Sequence, residues 1–292
     1  MSDQSLPCTI LTDNGSYRPQ STLSLRRIAS ELSEEVGHTV HPVSLLHSTK
    51  ADPADLDGIP AEIFEPFLKK KREEGINSFM MVPLFFGHSA ATFEYVPQRV
   101  IEMRQNWPEL EVRVAPCMVD ITDPSDTLVA QILAELVRKK ASEEGLDKPA
   151  VTLCDHGTPR KFVNDVRNFL GDQLKEILKD DASVVEPSSM ERREGDEYAF
   201  NEPLLENLLG SPGFEKDVIL SMLFISPGRH AGPGGDIAEI CENREKEVEG
   251  LKTYMSDLFA THPGIVGILA RRFREGLETD PVVAEVAPPV RA

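Results

Sequence analysis

The sequence has few cysteines and no apolar run long enough to cross a membrane. A membrane-spanning helix needs roughly 20 consecutive apolar residues, whereas the apolar run Phe79–Phe86 is only as long as a strand. The four cysteines lie far apart, without a CxxC pair or zinc-knuckle spacing, at Cys8, Cys117, Cys154 and Cys241. We therefore expect no membrane association, and buried thiols instead of disulfides or cysteine-bound zinc.

The sequence also lacks an excess of basic residues. Its 31 Lys and Arg residues are outnumbered by 49 Asp and Glu residues, which gives a formal net charge of −18. Nucleic acid binding needs a basic face, so this composition argues against a nucleic acid partner. The glycine-rich loop Ser226–Asp236 lacks the Gly-Lys-Ser/Thr ending of a phosphate loop, which argues against nucleotide binding. The N-terminus lacks the basic-then-apolar layout of a secretory signal, and we expect a cytoplasmic protein.

One sequence pattern occurs twice. Thr9–Ser16 (TILTDNGS) is similar to Val151–Thr158 (VTLCDHGT), which lies 142 positions later. Each copy is an apolar run followed by Asp, a polar residue, Gly and a hydroxyl residue. A strand that ends in a tight glycine turn presents its last polar side chain at the carboxyl edge of a sheet, where open α/β folds bind ligands. That side chain is Asn14 in the first copy and His156 in the second.

The pattern of apolar residues predicts an α/β fold made of two tandem lobes. Short β-branched or aromatic runs alternate with amphipathic stretches of helical period, which is typical of parallel sheets. We expect each lobe to hold a mostly parallel four-stranded sheet flanked by helices, with a cleft between the lobes. The predicted boundaries are a first lobe at 1–141, a linker at 142–149, a second lobe at 150–277 and a disordered tail at 278–292.

The predicted elements alternate in both lobes. The expected strands are Thr9–Leu11, Thr39–Leu46, Asn77–Phe86, Glu111–Ala115, Ala150–Leu153, Ser183–Glu186, Asp217–Ile225 and Leu251–Tyr254. The expected helices are Ser21–Val36, Ala61–Glu74, Glu94–Asn106, Ser125–Ala141, Arg160–Lys179, Pro203–Leu209, Asp236–Glu249 and Gly264–Glu275. The charged stretch between Met190 and Asn201 is predicted to be a solvated loop.

Polar side chains follow three successive strands of the second lobe. His156 follows the first strand, Glu191 the second and His230 the third. Because the carboxyl ends of parallel strands meet at one edge, we expect these side chains to converge. Two neutral imidazoles and a carboxylate suit Fe²⁺, Co²⁺, Ni²⁺ or Zn²⁺. The alternative is that the histidines are hydrogen-bonded loop residues and that Glu191 is simply solvated.

The strand register decides which residue of the first lobe matches His230. Leu84–Gly87 matches Leu223–Ser226 at an offset of 139, although His88 and His230 are 142 positions apart. A slip of one residue would turn every side chain of a strand to the other face, so we follow the strands. His230 then corresponds to Ala91.

The first lobe has a poorer set of candidate ligands. The residues predicted to stand at the three matching places are Asn14, His47 and Ala91. We therefore expect one competent metal site per chain, in the second lobe. The sequence leaves open whether Asn14, His47 or His88 binds anything.

The glycine-rich loop after the third strand is the candidate substrate-binding segment. Its glycines allow the backbone to approach a flat ligand closely. Arg229 could hold a ligand carboxylate with two hydrogen bonds, or it could be an exposed structural arginine. We expect Ser226, Gly228 and Arg229 of this loop to contact the substrate.

Both motifs of the second lobe resemble those of a known family. Leu153–Thr158 (LCDHGT) resembles the His-Gly-Ser/Thr turn of the class II tetrapyrrole chelatases. Met222–His230 (MLFISPGRH), followed by Asp236-Ile237, is similar to that family's apolar strand, glycine turn and second histidine. The branch that the chain resembles is that of the sirohydrochlorin chelatases, which insert cobalt or ferrous iron into sirohydrochlorin. The resemblance extends from about Leu6 to Leu277, as two tandem chelatase-like lobes.

The resemblance implies a metal chelatase, a lyase of siroheme or cobalamin biosynthesis. Its metal-binding and catalytic residues would be His156, His230 and Glu191. The substrates would be a sirohydrochlorin-like tetrapyrrole and a divalent metal ion, Co²⁺ or Fe²⁺, with Ni²⁺ a further candidate. No nucleotide or other organic cofactor is implied. The first lobe, with its degenerate site, would form the opposing wall of the cleft.

Two other functions remain open at this point. One is a non-catalytic carrier of metal or tetrapyrrole, suggested by the degenerate first lobe. The other is a structural α/β protein whose histidines converge by chance. A two-lobed chain could act as a monomer or as a homodimer, and the physiological metal depends on supply as much as on the ligands.

Overall fold

The computed structural model describes residues 6–232 and 234–283, and their contacts divide into two compact units. The first unit contains residues 6–120 and 263–283, and the second contains residues 121–232 and 234–262. Each unit is a sheet of parallel strands flanked by helices. The predicted α/β fold with two tandem lobes is confirmed, but the first sheet has five strands instead of the predicted four.

The first unit has a sheet of five strands. In chain order they are β1 (Cys8–Thr12), β2 (Val40–Ser44), β3 (Glu62–Ile63), β4 (Ser78–Pro83) and β5 (Glu111–Val114). Their order across the sheet is β3-β2-β1-β4-β5, and every pairing is parallel. The helices of this unit are α1 (Pro19–Val36), α2 (Phe64–Glu73), α3 (Val96–Asn106) and α8 (Gly264–Gly276).

The second unit has a sheet of four strands. They are β6 (Ala150–Asp155), β7 (Val184–Ser189), β8 (Asp217–Met222) and β9 (Lys252–Met255), in the parallel order β7-β6-β8-β9. The helices are α4 (Leu128–Glu144), α5 (Lys161–Ile177), α6 (Leu205–Leu208) and α7 (Asp236–Glu247). In both sheets the strand that ends in the repeated glycine turn is therefore an interior strand, with a neighbour on each side.

Most residues of the central strands β1 and β6 are buried, as is typical of parallel sheets covered by helices. Ile10 and Leu11 of β1 are completely buried, as are Val151 and Leu153 of β6. This burial explains the continuous apolar runs of the sequence, which show no alternation between inward and outward positions. It also leaves the carboxyl ends of the strands as the place where polar side chains can stand.

The two units do not follow the predicted boundary at 142–149. Residues 142–144 are the last residues of α4, a helix that packs against α5 and β8 of the second unit. Helix α8, predicted for the second lobe, packs instead against α1 and β4 of the first unit. Its Arg272 donates a hydrogen bond to the Met118 carbonyl at 2.9 Å. The alternation of strands and helices does not say which sheet a helix covers, so the sequence did not reveal this exchange.

Three further segments differ from the predictions. Part of the predicted tail is structured, since Val282 donates its backbone N–H to Val112 and Pro281 pairs with Arg113; residues 284–292 lie outside the described residues. The predicted loop after Met190 contains a short 3₁₀ helix, Asp196–Asn201. The predicted helix Ala61–Glu74 begins with strand β3 instead. Among the described residues, no helix has the length and apolar character to cross a membrane.

Candidate metal and substrate site

A glycine turn at the end of β6 places His156. Gly157 has φ +88°, and a Cβ atom there would lie 1.8 Å from the Glu191 carbonyl oxygen. Only glycine can therefore let the turn after β6 lie against the segment after β7. The backbone N–H of Glu191 donates to the His156 carbonyl at 3.2 Å, which joins the ends of the two strands. His156 and Glu191 are thus held side by side.

The loop after β8 places His230 beside the start of α7. The backbone N–H of Ile237 donates to the His230 carbonyl at 3.3 Å. The Nδ1 atom of His230 lies 2.5 Å from Oδ2 of Asp236, the first residue of the helix. A carboxylate is favourable in the first turn of a helix, and here it also fixes the orientation of the imidazole.

The two imidazoles are in contact at the carboxyl edge of the second sheet. The ring centroids of His156 and His230 are 4.5 Å apart, with an angle of 72° between the planes. The Nε2 atom of His156 lies 3.6 Å from Oε1 of Glu191. The side chains of His156, His230 and Glu191 are 43%, 30% and 62% exposed, so a ligand can reach them from solvent. The three side chains that were predicted to converge do so.

The hydrogen bonds of both rings leave Nε2 as the ligand atom. The Nδ1 atom of His156 lies 3.0 Å from the Gly157 carbonyl oxygen, which can only accept, so Nδ1 carries the proton. Asp236 selects the same tautomer in His230. Within the described residues, no group of three or more His, Cys, Asp or Glu side chains is already arranged around a metal position. The site is therefore a pair of imidazoles with an exposed carboxylate beside it.

The three predicted substrate-binding residues lie in the loop between β8 and α7. The Arg229 side chain is 80% exposed, and its Nε atom lies 3.9 Å from Oδ2 of Asp236. Gly228 donates its backbone N–H to the Ala231 carbonyl at 3.1 Å, and a Cβ atom added at Gly228 would meet nothing within 4 Å. Ser226 lies four residues after the end of β8. The loop therefore leaves open space around Gly228.

Two arginines that follow Glu191, Arg192 and Arg193, have partners of their own. Arg192 is paired with Glu202 at 2.7 Å and donates to the carbonyls of Arg193 and Gly195. The Arg193 guanidinium lies over the Tyr198 ring at 6.0 Å from its centroid. Arg229, by contrast, is 80% exposed in the loop that carries His230, so an anionic ligand can reach it from solvent.

The first unit has the same backbone contacts as this site but different side chains at the positions of the candidate metal ligands. The Leu46 backbone N–H donates to the Asn14 carbonyl at 3.2 Å, and a Cβ atom on Gly15 would lie 1.7 Å from the Leu46 carbonyl oxygen. In the second unit, Glu191 makes the same two contacts, one with His156 and one with Gly157. The residue equivalent to Glu191 is therefore Leu46, and the predicted match to His47 was wrong by one residue.

Shared backbone hydrogen bonds confirm that the segments after β4 and β8 match at an offset of 139 residues. Leu84 donates its backbone N–H to the Thr12 carbonyl at 2.8 Å, as Leu223 does to the Cys154 carbonyl at 2.9 Å. With the same offset, Ala91 stands at the place of His230.

The three equivalent residues of the first unit line a cavity of about 270 Å³. Its lining consists of Asn14, Leu45, Leu46, Ala90, Ala91, Glu94, Tyr95 and Gln98. His47 points elsewhere, because its ring stacks on Tyr17 with centroids 5.4 Å apart. The first unit therefore has space at this edge of its sheet but no imidazole pair.

His88 is a neutral, half-buried residue of the first unit. Its ring lies 4.0 Å from that of Phe93, centroid to centroid, and its Nδ1 atom lies 3.8 Å from the Cys117 sulfur. Burial lowers the pKa of His88 to about 4, and the Asp120 carboxylate offsets only part of that effect. Its environment is that of a packed side chain.

Sequence reasoning missed the residues that support the site. Asp236 orients His230, and Asp155 accepts the Gly157 N–H at 3.0 Å. Burial raises the pKa of Asp155, although Arg167 and the hydrogen bonds to this carboxyl act in the opposite direction. The Asp that precedes the polar residue in both repeats was visible in the sequence and could have indicated this role.

Comparison with solved structures shows the chelatase fold. The chain is similar to the sirohydrochlorin chelatase SirB from Bacillus subtilis subspecies spizizenii in complex with cobalt, with a TM-score of 0.65 and 14% identity over 94% of this chain and 96% of that one. It is also similar to SirB from Bacillus subtilis with Fe³⁺, with a TM-score of 0.61 and 12% identity over the same shares of the two chains.

A third similar structure is CbiX, described as the terminal enzyme for biosynthesis of siroheme in denitrifying bacteria. Its TM-score is 0.56 and its identity 13%, over 92% of this chain and 98% of that one. No protein-family model and no curated protein matches the sequence. At these identities the likeness establishes the fold, which agrees with the resemblance seen in the two motifs.

Proposed function

We propose that this protein is a metal chelatase that inserts Co²⁺ or Fe²⁺ into a sirohydrochlorin-like tetrapyrrole. The observation that carries the proposal is the contact between His156 and His230, whose ring centroids are 4.5 Å apart at the carboxyl edge of a sheet. The chelatase fold supports the same function, because the solved structures with that fold include sirohydrochlorin chelatases in complex with cobalt or iron. The metal ion is a substrate in this reaction, as is the macrocycle.

The imidazoles suit the metal-holding step. Neutral imidazole nitrogen binds Co²⁺ and Fe²⁺ well, and because Nδ1 is bonded to Gly157 in one ring and to Asp236 in the other, Nε2 is the nitrogen that each ring can offer to the metal ion. Insertion exchanges two pyrrole N–H protons for one divalent ion. Two protein ligands hold the ion while leaving most of its coordination positions free for the pyrrole nitrogens.

Glu191 and Arg229 have separate roles in this proposal. Glu191 lies 3.6 Å from the Nε2 atom of His156, so it can complete the donor set or accept a proton released from the pyrroles. Arg229, 80% exposed beside the imidazole pair, can pair with a carboxylate of the macrocycle. A local cation is needed because the chain carries a formal net charge of −18.

The test is an anaerobic insertion assay with sirohydrochlorin and Co²⁺, Fe²⁺ or Ni²⁺ in parallel, followed by the absorbance of the macrocycle. We expect continued turnover with Co²⁺ or Fe²⁺, and a rate at least about a hundredfold lower for His156→Asn. His262→Asn is the matched control, because His262 belongs to the same unit and its Nε2 atom bonds Oε2 of Glu135 at 3.0 Å. It should keep the wild-type rate.

The carrier function predicts a different time course. One equivalent of metal or tetrapyrrole would bind in a single step, with no further change of absorbance. That result would replace the enzyme by a binding protein. A wild type that binds neither Co²⁺ nor sirohydrochlorin would leave only a structural role.

A further inference from the structure

A buried arginine lies behind the glycine turn of the second unit. The Arg167 side chain, on α5, is only 2% exposed. Its Nη1 atom donates to the hydroxyl of Ser189 and to the Asn201 carbonyl, and lies 4.0 Å from Oδ1 of Asp155. A buried guanidinium is costly unless such partners compensate its charge. The proposed reaction gives this residue no direct task, so its presence needs another explanation.

The partners of Arg167 hold both sides of His156. Asp155, just before it, accepts hydrogen bonds from the Gly157 N–H at 3.0 Å and from the Ser189 hydroxyl at 2.6 Å. The Asn201 side chain bonds the backbone N–H and carbonyl of Thr158, at 3.0 and 2.9 Å. The turn that carries the imidazole is therefore fixed at both ends by groups that the guanidinium contacts.

The first unit forms the same turn without the arginine. Helices α1 and α5 begin at equivalent residues, Pro19 and Lys161, which places the fully buried Leu25 where α5 has Arg167. Asp13 and Ser44 stand where the second unit has Asp155 and Ser189. The fold therefore does not require the guanidinium. It is present only in the unit that carries the imidazole pair.

We propose that Arg167 is a positioning residue for this pair, acting through Ser189 and Asn201 on the turn that carries His156. The same network holds the end of β7, from which the chain continues to Glu191. This inference rests on the proposed function. Its consequence is that loosening the network weakens metal binding even where the protein stays folded.

Two adjacent serines of β7 give a matched test with Co²⁺ as the probe. Both Ser188 and Ser189 are completely buried, but Ser188 bonds Thr152 at 2.7 Å and, since side chains alternate along a strand, faces away from the network. Ser189→Ala should weaken Co²⁺ binding about tenfold and change the visible absorption of the bound ion, as is usual for loss of a group that orients a metal ligand. Ser188→Ala should leave both unchanged.

Arginine variants extend the test. Arg167→Met should weaken Co²⁺ binding by up to about a hundredfold, and Arg167→Lys should recover part of that loss because it restores the charge but not the full set of donors. Arg272→Met is the control for removal of a buried arginine, since Arg272 is 3% exposed and belongs to the first unit. It should lower stability without changing Co²⁺ affinity.

The outcomes separate this inference from the proposed function. If the wild type binds Co²⁺, His156→Asn abolishes that binding and Ser189→Ala matches Ser188→Ala, the positioning role is wrong and the chelatase proposal stands. If affinity falls only in proportion to stability, so that Arg272→Met behaves like Arg167→Met, the role is also overturned. A wild type without Co²⁺ binding overturns both.

Discussion

The two units share a parallel sheet, a glycine turn and a buried aspartate at the same edge, but they differ in what surrounds that edge. The second unit has His156, Glu191 and His230, and the first has Asn14, Leu46 and Ala91. The backbone contacts are nearly the same, with the equivalent N–H to carbonyl bonds both 3.2 Å long. The same backbone geometry can therefore carry different side chains, and the candidate metal ligands belong to the second unit.

The largest expected effect comes from giving the second unit the residues of the first. His156→Asn with His230→Ala removes both imidazoles, and we expect metal insertion to fall by well over about a hundredfold. Initial rates with saturating sirohydrochlorin and Co²⁺ measure the change, with far-UV circular dichroism to confirm folding. Insertion above a tenth of the wild-type rate would show that the difference between the units lies elsewhere.

The next largest effect concerns Asp155 and Asp13, which occupy equivalent positions in the two units. Asp155→Asn leaves the Arg167 charge without its carboxylate, so we expect the free energy of unfolding to fall by about 3 kcal/mol. Burial raises the pKa of Asp13 against the opposing hydrogen bonds of Ser44 and Ser21, so folding makes the charged carboxylate less stable than it is in the unfolded chain. Asp13→Asn should therefore stabilise the protein at pH 7, by up to about 1 kcal/mol. Urea unfolding of both variants compares them, and equal shifts would contradict this distinction.

A smaller effect concerns His88. Because burial lowers the pKa of His88 to about 4, the unfolded chain, with a pKa near 6.5, binds a proton that the folded chain does not. The stability that His88 contributes is thus present above about pH 6.5 and lost as the pH falls towards 4, by about 2 kcal/mol. His88→Leu should flatten this part of the stability curve while Co²⁺ binding persists. If the variant lost as much stability as the wild type between about pH 6.5 and pH 4, His88 would already take up a proton in the folded protein.

The smallest effect comes from the reverse exchange. Asn14→His with Leu46→Glu and Ala91→His gives the first unit the candidate ligands, and we expect a second Co²⁺ ion to bind at least about ten times more weakly than the first. The reason is that Leu25 stands where the second unit has Arg167. Calorimetric titration gives the stoichiometry. A second site as tight as the first would make the arginine dispensable.

The sequence predicted which residues lie at the carboxyl ends of the strands better than it predicted which unit each helix packs against. His156 and His230 were found because the ends of parallel strands fix where their next residues stand. The match of Glu191 to His47 was wrong because it was based on loop residues instead of on the strand that precedes them. The pattern Val-X-Pro-X-Ser, shared by Val40–Ser44 and Val185–Ser189, would have given Leu46. Arg167 could not be recognised, since burial of a charge depends on partners that are distant in the chain.

The exchange of α4 and α8 between the units has a consequence for how the protein can be divided. The polypeptide passes from one unit to the other at residues 120–121 and returns at 262–263. A fragment that begins at Ala150, where the repeat suggests a natural cut, loses the helix that packs on α5 and β8 and keeps α8 without the strand and helix it packs on. Dissection at the internal duplication would therefore damage both halves, and a chain that joins residue 120 directly to residue 263, which isolates the first unit, is the division that respects the packing.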